Sequence, residues 1–343
     1  MIEFVKKGML TTIQDAGRYR YQRFGVPVSG AMDLFALALV NILVGNPQDM
    51  EAVEATIIGP TIKFHTANIF AVAGGNFQAK LNGQPVKNNK AYLAQAGSLL
   101  ELPMAKVGVR AYVAFSGGLD ADYVMGSRST YLKGGIGGVK GRAVANGDTL
   151  RFRAPRTDLP NMKYRTVPVD FLVSYGNSPK LRIVLGPQDN YFSPKGIETL
   201  LSSEYTVGPE NDRMGYRLEG PEIEQAEGCN GNIISDGISF GAIQVPQHQP
   251  IVMMADRQTT GGYAKIGCII SVDLPLIAQL KIGDKMRFQC VSVEEAQALY
   301  LKRHRLLKEL ADMLDKKQII QSTENRVRIN GQEFHVMVQE IKK

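Results

Sequence analysis

Short apolar runs recur along most of the chain and point to strands. Residues 109–115 (VRAYVAF) and 181–185 (LRIVL) are brief apolar stretches flanked by Gly or Pro, the length and setting of strands. Asn82-Gly83 predicts a hairpin turn, because both residues tolerate the positive φ of a type I′ turn. Gly147-Asp148 and Gly283-Asp284 each precede an alternating segment. One early segment breaks the pattern. Residues 31–44 are apolar nearly all round, which predicts a buried helix ended by Gly45 and Pro47. A second helix is predicted over 293–317. Ser292 and Glu295 form its capping box, and Leu299, Leu306, Leu310 and Met313 its apolar stripe. Residues 326–338 alternate around Asn330-Gly331 and predict a final hairpin.

The pattern repeats. GDTLRF (147–152) is echoed by GDKMRF (283–288), and SRSTYLKGG (127–135) by DRQTTGG (256–262). IGPTI (58–62) is echoed by EGPEI (219–223), and QDAGRYRY (14–21) by NDRMGYRL (211–218). Four echoes in one order argue for duplicated units rather than a short-period solenoid. The division expected is a first unit over 1–155, a linker over 156–180, a second unit over 181–291 and a helix-and-hairpin tail over 292–343. Pro160, Pro168 and Pro179 suit an extended linker.

Composition adds limits. The 35 glycines favour tight turns between short strands, and with no Trp the core falls to Phe, Tyr and aliphatic residues. The net charge of +7 is spread along the chain. It suits solubility and anionic ligands, and nothing gathers it into a nucleic-acid face. Three cysteines with no CxxC argue for a reducing compartment and against a disulfide scaffold. The first residues, MIEFVKKGML, lack the apolar core of a signal peptide. The longest apolar run, 34–44, is far short of the ~20 residues that span a bilayer. A cytoplasmic protein without membrane contact is expected.

Four constellations can carry chemistry. In Asp256-Arg257-Gln258-Thr259-Thr260-Gly261-Gly262, Arg257 can fork onto a carboxylate or phosphate, the threonines add donors, and the glycine backbone permits close approach. The plain alternative is a strand and glycine turn with Arg257 paired to Asp256. In Asp212-Arg213-Met214-Gly215-Tyr216-Arg217, Asp212 either orients Arg213, acts as a base, or belongs to a solvated turn. The glycine-rich loop 134–142, with Gly137, Gly138 and Lys140, suits phosphate but fits neither the P-loop nor the dinucleotide spacing. A flexible edge loop is the alternative. Gln14-Asp15-Ala16-Gly17-Arg18 with Ser29-Gly30-Ala31-Met32-Asp33 places N–H groups at a helix start, where Ser29 can also simply cap the helix.

Gly237-Ile238-Ser239-Phe240-Gly241 matches G-x-S-x-G, but no helix pattern follows, so an esterase elbow is rejected. The histidines, His65, His248, His304 and His335, lack zinc-ligand spacing, and no metal site is expected.

TTIQDAGRYRYQRFGVPVSGAMD (11–33) resembles the opening signature of the family named allophanate hydrolase subunit 2. Further matching stretches are 124–142, 186–192, 205–221, 235–246 and 255–267, and the resemblance spans about 3–290. The family includes the C-type subunit of 5-oxoprolinase, the sporulation-kinase regulator KipA and the carboxyltransferase part of urea carboxylase. The resemblance implies a mainly β fold with some α, built of two cyclophilin-like β-barrel units. It implies an ATP-dependent lactam hydrolase component that uses ATP with Mg and is active in a complex. Its partners would be a B-type (allophanate hydrolase subunit 1, KipI-like) subunit and an A-type (LamB/YcsF-like) subunit, and its substrate a small anion. On the matching stretches, Arg257, Asp212 and Arg213 are expected to be catalytic. Gln258, Thr259, Thr260, Gly261, Gly262, Tyr216, Asp236 and Gln244 are expected to contact substrate.

Arg20, Asn76 and Ser239 depart from the family pattern, where Gly, Asp and Pro are expected. The first two lie in or near presumed pocket loops, which puts substrate preference in play. The final hairpin is similar to the first strands of a biotin-carrier domain, but the biotinylation motif is missing, so no covalent biotin is expected. The alternative functions are a carboxyltransferase of a biotin-dependent urea or amide carboxylase, and a non-enzymatic KipA-type regulator that binds a kinase inhibitor.

Overall fold

A computed structural model describes residues 1–316, 319–329 and 332–341. The first unit is two facing sheets. One runs, in order, Thr149–Leu150, Ile2–Lys6, Thr61–Phe64, Leu99–Glu101, Lys80–Leu81, Gln84–Pro85. The other runs Leu10–Gln14, Ala52–Thr56, Val107–Phe115, Asn68–Asn76, Ala91–Ala94. Between them lies an aromatic wedge of Phe64, Phe70, Phe115 and Phe152, with ring centroids 5.5–6.4 Å apart. The predicted turn is present, with Asn82 and Gly83 both at positive φ between two paired strands.

Helix α1 (Leu34–Leu43) covers the outer face of the second sheet. Both faces of Asn68–Asn76 are therefore buried. Phe70 and Val72 enter the core between the sheets, and Ile69, Ala71 and Ala73 pack under α1. That explains the unbroken apolar run IFAVA. Helix α1 starts later than predicted because Asp33, not Ser29, caps it: Asp33 Oδ1 accepts from Ala36 N–H at 2.9 Å. Ser29 instead sits at φ 56°, in a left-handed bend before the helix.

The second unit is a closed seven-stranded barrel: Lys180–Leu185, Lys265–Ile269, Ala242–Gln244, Ile251–Met253, Gly215–Glu219, Glu204–Asn211, Lys285–Cys290. Parallel pairing of Lys180–Leu185 with Lys285–Cys290 closes the ring. Helices α2 (Pro194–Ser202) and α3 (Leu274–Ala278) contribute to its core. The fold is thus the expected mainly β pair, with one difference. The strands of the first unit are hydrogen bonded as two sheets around the aromatic wedge, not as one ring.

The duplicated GD motif makes the same turn twice. Gly147 and Gly283 have φ 83° and 85°. The Asp148 and Asp284 carboxylates accept the N–H of Ala145 and Lys281, at 2.7 and 3.0 Å. Phe4 N–H and Val207 N–H reach the Asp148 and Asp284 carbonyls, both at 2.8 Å.

Helix α4 (Val293–Asp315) begins at the predicted cap, with Ser292 Oγ accepting from Glu295 N–H at 3.1 Å. Leu307, Leu310 and Leu314 are its buried residues, packed with α1, while Leu299, Leu306 and Met313 are only partly buried. The 156–180 segment, expected as an extended linker, is an irregular and anchored strap. Its Arg165 is fully buried and donates to the carbonyls of Ile42, Leu43 and Leu314, at 2.8, 2.7 and 3.1 Å. One cation so closes the C-terminal ends of two helices. In the tail, Ile319–Ile329 pairs antiparallel with Gln332–Ile341, and the expected turn residues Asn330-Gly331 lie outside the described residues. Among the described residues no helix is long and apolar enough to cross a membrane.

Candidate functional site

The two units meet through buried charge. Strand Ala52–Thr56 (AVEAT) carries one carboxylate, Glu54, among small apolar residues. Glu54 Oε2 accepts from Met32 N–H at 2.9 Å and Tyr112 O–H at 2.7 Å, and Glu54 Oε1 pairs with Arg213 Nη1 from the second unit. Arg213 also forks onto Asp256, at 3.0 and 3.2 Å, and donates to the Gly30 carbonyl at 2.6 Å. Burial disfavours the Arg213 cation, but the Asp256 and Glu54 carboxylates outweigh it and hold the guanidinium above its usual value. Met32 crosses the junction and packs in the barrel core.

The expected Asp212–Arg213 partnership is absent. Asp212 is exposed, and its carboxylate accepts the N–H groups of Met214 (2.7 Å) and Gly215 (3.1 Å), a local turn. Tyr216 does not line a cleft. It is wholly buried, and its hydroxyl accepts from Arg110 Nη1 at 2.7 Å and donates to the Leu280 carbonyl at 3.2 Å.

Arg257 is half-buried beside this cluster. Its Nε donates to the Ile238 carbonyl at 2.9 Å and its Nη1 to the Met254 carbonyl at 3.2 Å, while the guanidinium lies over Phe240, 5.4 Å from the ring centroid. The plain alternative, pairing with Asp256, does not occur, because Asp256 is taken by Arg213. Burial lowers the Arg257 value, with Tyr19 of the first unit acting in the opposite sense.

The first unit presents Arg18 on the same side. Arg18 is fully buried, and donates to the carbonyls of Val124 (2.9 Å) and Ser129 (2.8 Å). Burial lowers its value against the pull of Asp15 and Asp256. Asp15 organises the loops, accepting from Gly17 N–H (2.8 Å), Arg128 N–H (2.6 Å), Ser127 O–H (2.7 Å) and Ser129 O–H (2.5 Å).

Buried side-chain polar atoms are normally partnered. Eight among the described residues are not, and five fall on these segments: Gln14 Oε1, Arg18 Nη1, Ser29 Oγ, Arg128 Nε and Gln258 Oε1. Of these five, Gln258 also lines a cleft between the units.

In the glycine-rich loop several backbone N–H groups are engaged within the chain. Gly138 N–H donates to the Arg128 carbonyl (2.9 Å), Gly141 N–H to Gly137 (2.8 Å) and Ile136 N–H to Tyr131 (3.3 Å). Lys140 is exposed, with its N–H on Asp122. Its glycines serve packing: a Cβ on Gly137 would meet the Ser129 carbonyl at 2.1 Å and Arg18 Nη2 at 2.8 Å.

Gly261 and Gly262 likewise lie in a strand, Thr260–Tyr263, paired outside the barrel with Asn232–Gly237. That ribbon carries Asp236, exposed and paired with Lys265 at 2.9 Å, and exposed Thr260. The Thr259 carbonyl accepts from Ile238 N–H at 3.1 Å.

A cleft of about 440 Å³ is lined by Asp212, Met214, Gln244 and Gln258 of the second unit, Tyr263 of the ribbon and Lys133 of the first unit. Gln244 is anchored to the Tyr263 carbonyl at 3.3 Å. Ser239 is exposed beside Cys268 (3.3 Å) and a strand follows it, not a helix.

The structure therefore brings Asp212, Gln244, Gln258 and Lys133 to one cleft, with Arg257 and Arg18 at the adjoining junction. Sequence reasoning assigned no role to Glu54 and did not place Arg18 opposite Asp256. The available signal for Glu54 was a single carboxylate inside an otherwise apolar strand.

These features define a class: a mainly β protein of two units, the second a closed seven-stranded barrel, joined through buried charge. Comparison with known proteins places it more closely. The chain belongs to the family described as carboxyltransferase domain, subdomain A and B, whose model matches residues 24–290. It is 36% identical over 312 residues to the C-type subunit of 5-oxoprolinase from Escherichia coli K12, covering 91% of this chain and 98% of that one. Among solved structures it is similar to Kluyveromyces lactis urea amidolyase (TM-score 0.85, 29% identity), over 90% of this chain and 20% of that one. It is also similar to urea carboxylase of the same yeast (TM-score 0.83, 28% identity), over 94% and 31%. This chain thus spans about a fifth and a third of those two yeast proteins.

Proposed function

We propose that this chain is the C-type subunit of an ATP-dependent 5-oxoprolinase. The observation that carries the reading is extent. The likeness to the bacterial 5-oxoprolinase component runs through 98% of that relative, whereas the yeast enzymes hold this fold as a minor part.

The chemistry suits the junction. A lactam carbonyl is a poor electrophile. Its oxygen attacks the γ-phosphorus of Mg-bound ATP and ADP leaves, which turns that oxygen into a leaving group. Water then adds to the carbon, the ring C–N bond breaks to leave a γ-glutamyl phosphate, and a second water cleaves that anhydride to glutamate and phosphate. Negative charge develops on transferring oxygens, so fixed cations and N–H donors act where it appears. Arg257, through Nη2, supplies such a donor, and the buried Arg18 positions the Val124 and Ser129 loop beside it. Gln258 and Gln244 read the amide, Thr259 and Thr260 border it, and Asp212 with Lys133 serves as base and orienter at the cleft mouth. Arg213 positions Asp256 and the loop at Gly30.

The nucleotide is assigned to a B-type subunit in this reading, in keeping with the engagement of the Gly138 and Gly141 N–H groups within the chain. An A-type subunit finishes ring opening in the cytoplasm, where the free Cys229, Cys268 and Cys290 stay reduced.

A second reading, carboxyl transfer to urea or a similar amide from carboxybiotin on another chain, is favoured by the likeness in fold to urea carboxylase. The test is phosphate release by the co-purified complex with 5-oxoproline, urea or bicarbonate, with and without avidin. Stimulation by 5-oxoproline that is insensitive to avidin is expected. Arg257→Ala should lower it ~10²–10³-fold, the range for losing one donor to a developing oxyanion. Near-normal turnover by that variant, or stimulation by urea alone, overturns the assignment.

A further inference from the structure

The first unit, the strap and the barrel turn enclose a second groove, away from the residues assigned to chemistry. Its volume is about 470 Å³, and its walls include Ile57, Met104, Val107, Tyr175, Asn177 and Lys281. Several large apolar side chains stand open in and beside it. Met104 is 60% exposed, Val107 47%, Ile57 36%, and Ile282 in the adjoining turn 60%. The patch is continuous along the backbone, with Ala105 N–H bonded to the Ile57 carbonyl and Met104 bridged to Ile58. Contiguous exposed apolar surface rimmed by polar groups marks an interaction site.

A second observation points the same way. Ile57 has φ 61°, a left-handed conformation that a β-branched residue strongly disfavours. Both of its backbone groups are tied down, its N–H to Val109 and its carbonyl to Ala105. The strain holds an aliphatic side chain half out of the core, and such strain concentrates at clamps for ligands.

Charge selects the occupant. Lys106 and Lys281 stand exposed on the rim, while the one lining carboxylate, Asp284, is turned onto the Lys281 N–H at 3.0 Å. A second copy of this chain, docked about a two-fold axis, would bring this lysine-rimmed patch against itself. We infer that the groove seats a short segment of the B-type partner subunit that offers aliphatic side chains to Ile57, Met104 and Val107 and carboxylates to Lys106 and Lys281. The inference rests on the proposed hetero-oligomer.

The test uses the full chain co-expressed with its B-type subunit and reads co-elution and Kd. Met104→Glu, Val107→Glu and the pair Lys106→Glu with Lys281→Glu should each weaken the complex at least tenfold, with unchanged Tm of the isolated chain. Val169→Glu, an exposed apolar position outside the groove, should not. If wild type forms the complex and the groove variants bind equally well, the groove assignment falls and the 5-oxoprolinase reading stands. If wild type forms no complex with the B-type subunit, both fall. If wild type self-associates and the groove variants abolish it, a second copy is the occupant and the inference is overturned.

Discussion

Replacing Arg213 by Met isolates the charge cluster that joins the two units. Met keeps an apolar stem of similar reach but removes every donor. Glu54 and Asp256, 1% and 8% exposed, then lose their shared counter-ion, and the Gly30 carbonyl loses its donor. Removing one partner of a buried ion pair costs ~3–5 kcal/mol, because the stranded charge cannot rehydrate. Unfolding entropy near 60 °C is about 2.1 cal/mol/K per residue, so over 343 residues the loss corresponds to a Tm about 4–7 °C lower.

A triple variant separates this cause from simple loss of packing. Glu54→Gln, Arg213→Met, Asp256→Asn should recover a large part of the loss, because the carboxylates that Arg213→Met strands are then neutral amides. Calorimetric unfolding of the purified chain reads wild type and both variants. A loss below ~1 kcal/mol, or a triple variant no better than the single one, refutes the reasoning.

Further outcomes follow from local geometry. Ser292→Ala removes the α4 cap and should cost ~1 kcal/mol in urea unfolding, with Ser292→Asp close to wild type. Burial pushes the Tyr205 hydroxyl up to about 12 from its usual value of 10. Its neutral form therefore favours folding fully below pH 10, and that contribution is lost as pH rises from 10 to 12. Tyr205→Phe should flatten the stability profile in that window, and an unchanged slope counts against burial as the cause. Gly137→Ala drives a Cβ to within 2.1 Å of the Ser129 carbonyl and 2.8 Å of Arg18, at φ 72°. It should both destabilise the chain and cut turnover at least tenfold. Loss of Tm with full kcat would remove the positioning role of Arg18.

Much of the local structure was legible because its causes are local. The Asn82-Gly83 turn, the two GD turns and the Ser292 cap each follow from a few adjacent residues. The all-round apolar run of α1 announced its burial. What escaped depends on chain segments that meet only in the fold. Arg213 pairs with Glu54 across 159 positions, and no spacing rule links them. Arg257 and Asp256 are neighbours in sequence, yet their side chains leave the backbone in different directions and take different partners. The glycines of 261–262 and 137–138 suggested anion-binding backbone; 261–262 lie in a two-stranded ribbon, and a Cβ on Gly137 would strike the Ser129 carbonyl. The strap's prolines suggested an extended linker, and nothing in its composition announced that Arg165 would anchor it to two helix ends.

That buried cation has a consequence for biosynthesis. Helix α1 emerges early, but its outer face is finished only when Leu307, Leu310 and Leu314 arrive and Arg165 finds the end of the last helix. Between those events the ribosome must deliver the whole barrel. For that interval a fully apolar helix waits without its cover, so a nascent chain stalled after the barrel would be a natural client for a chaperone.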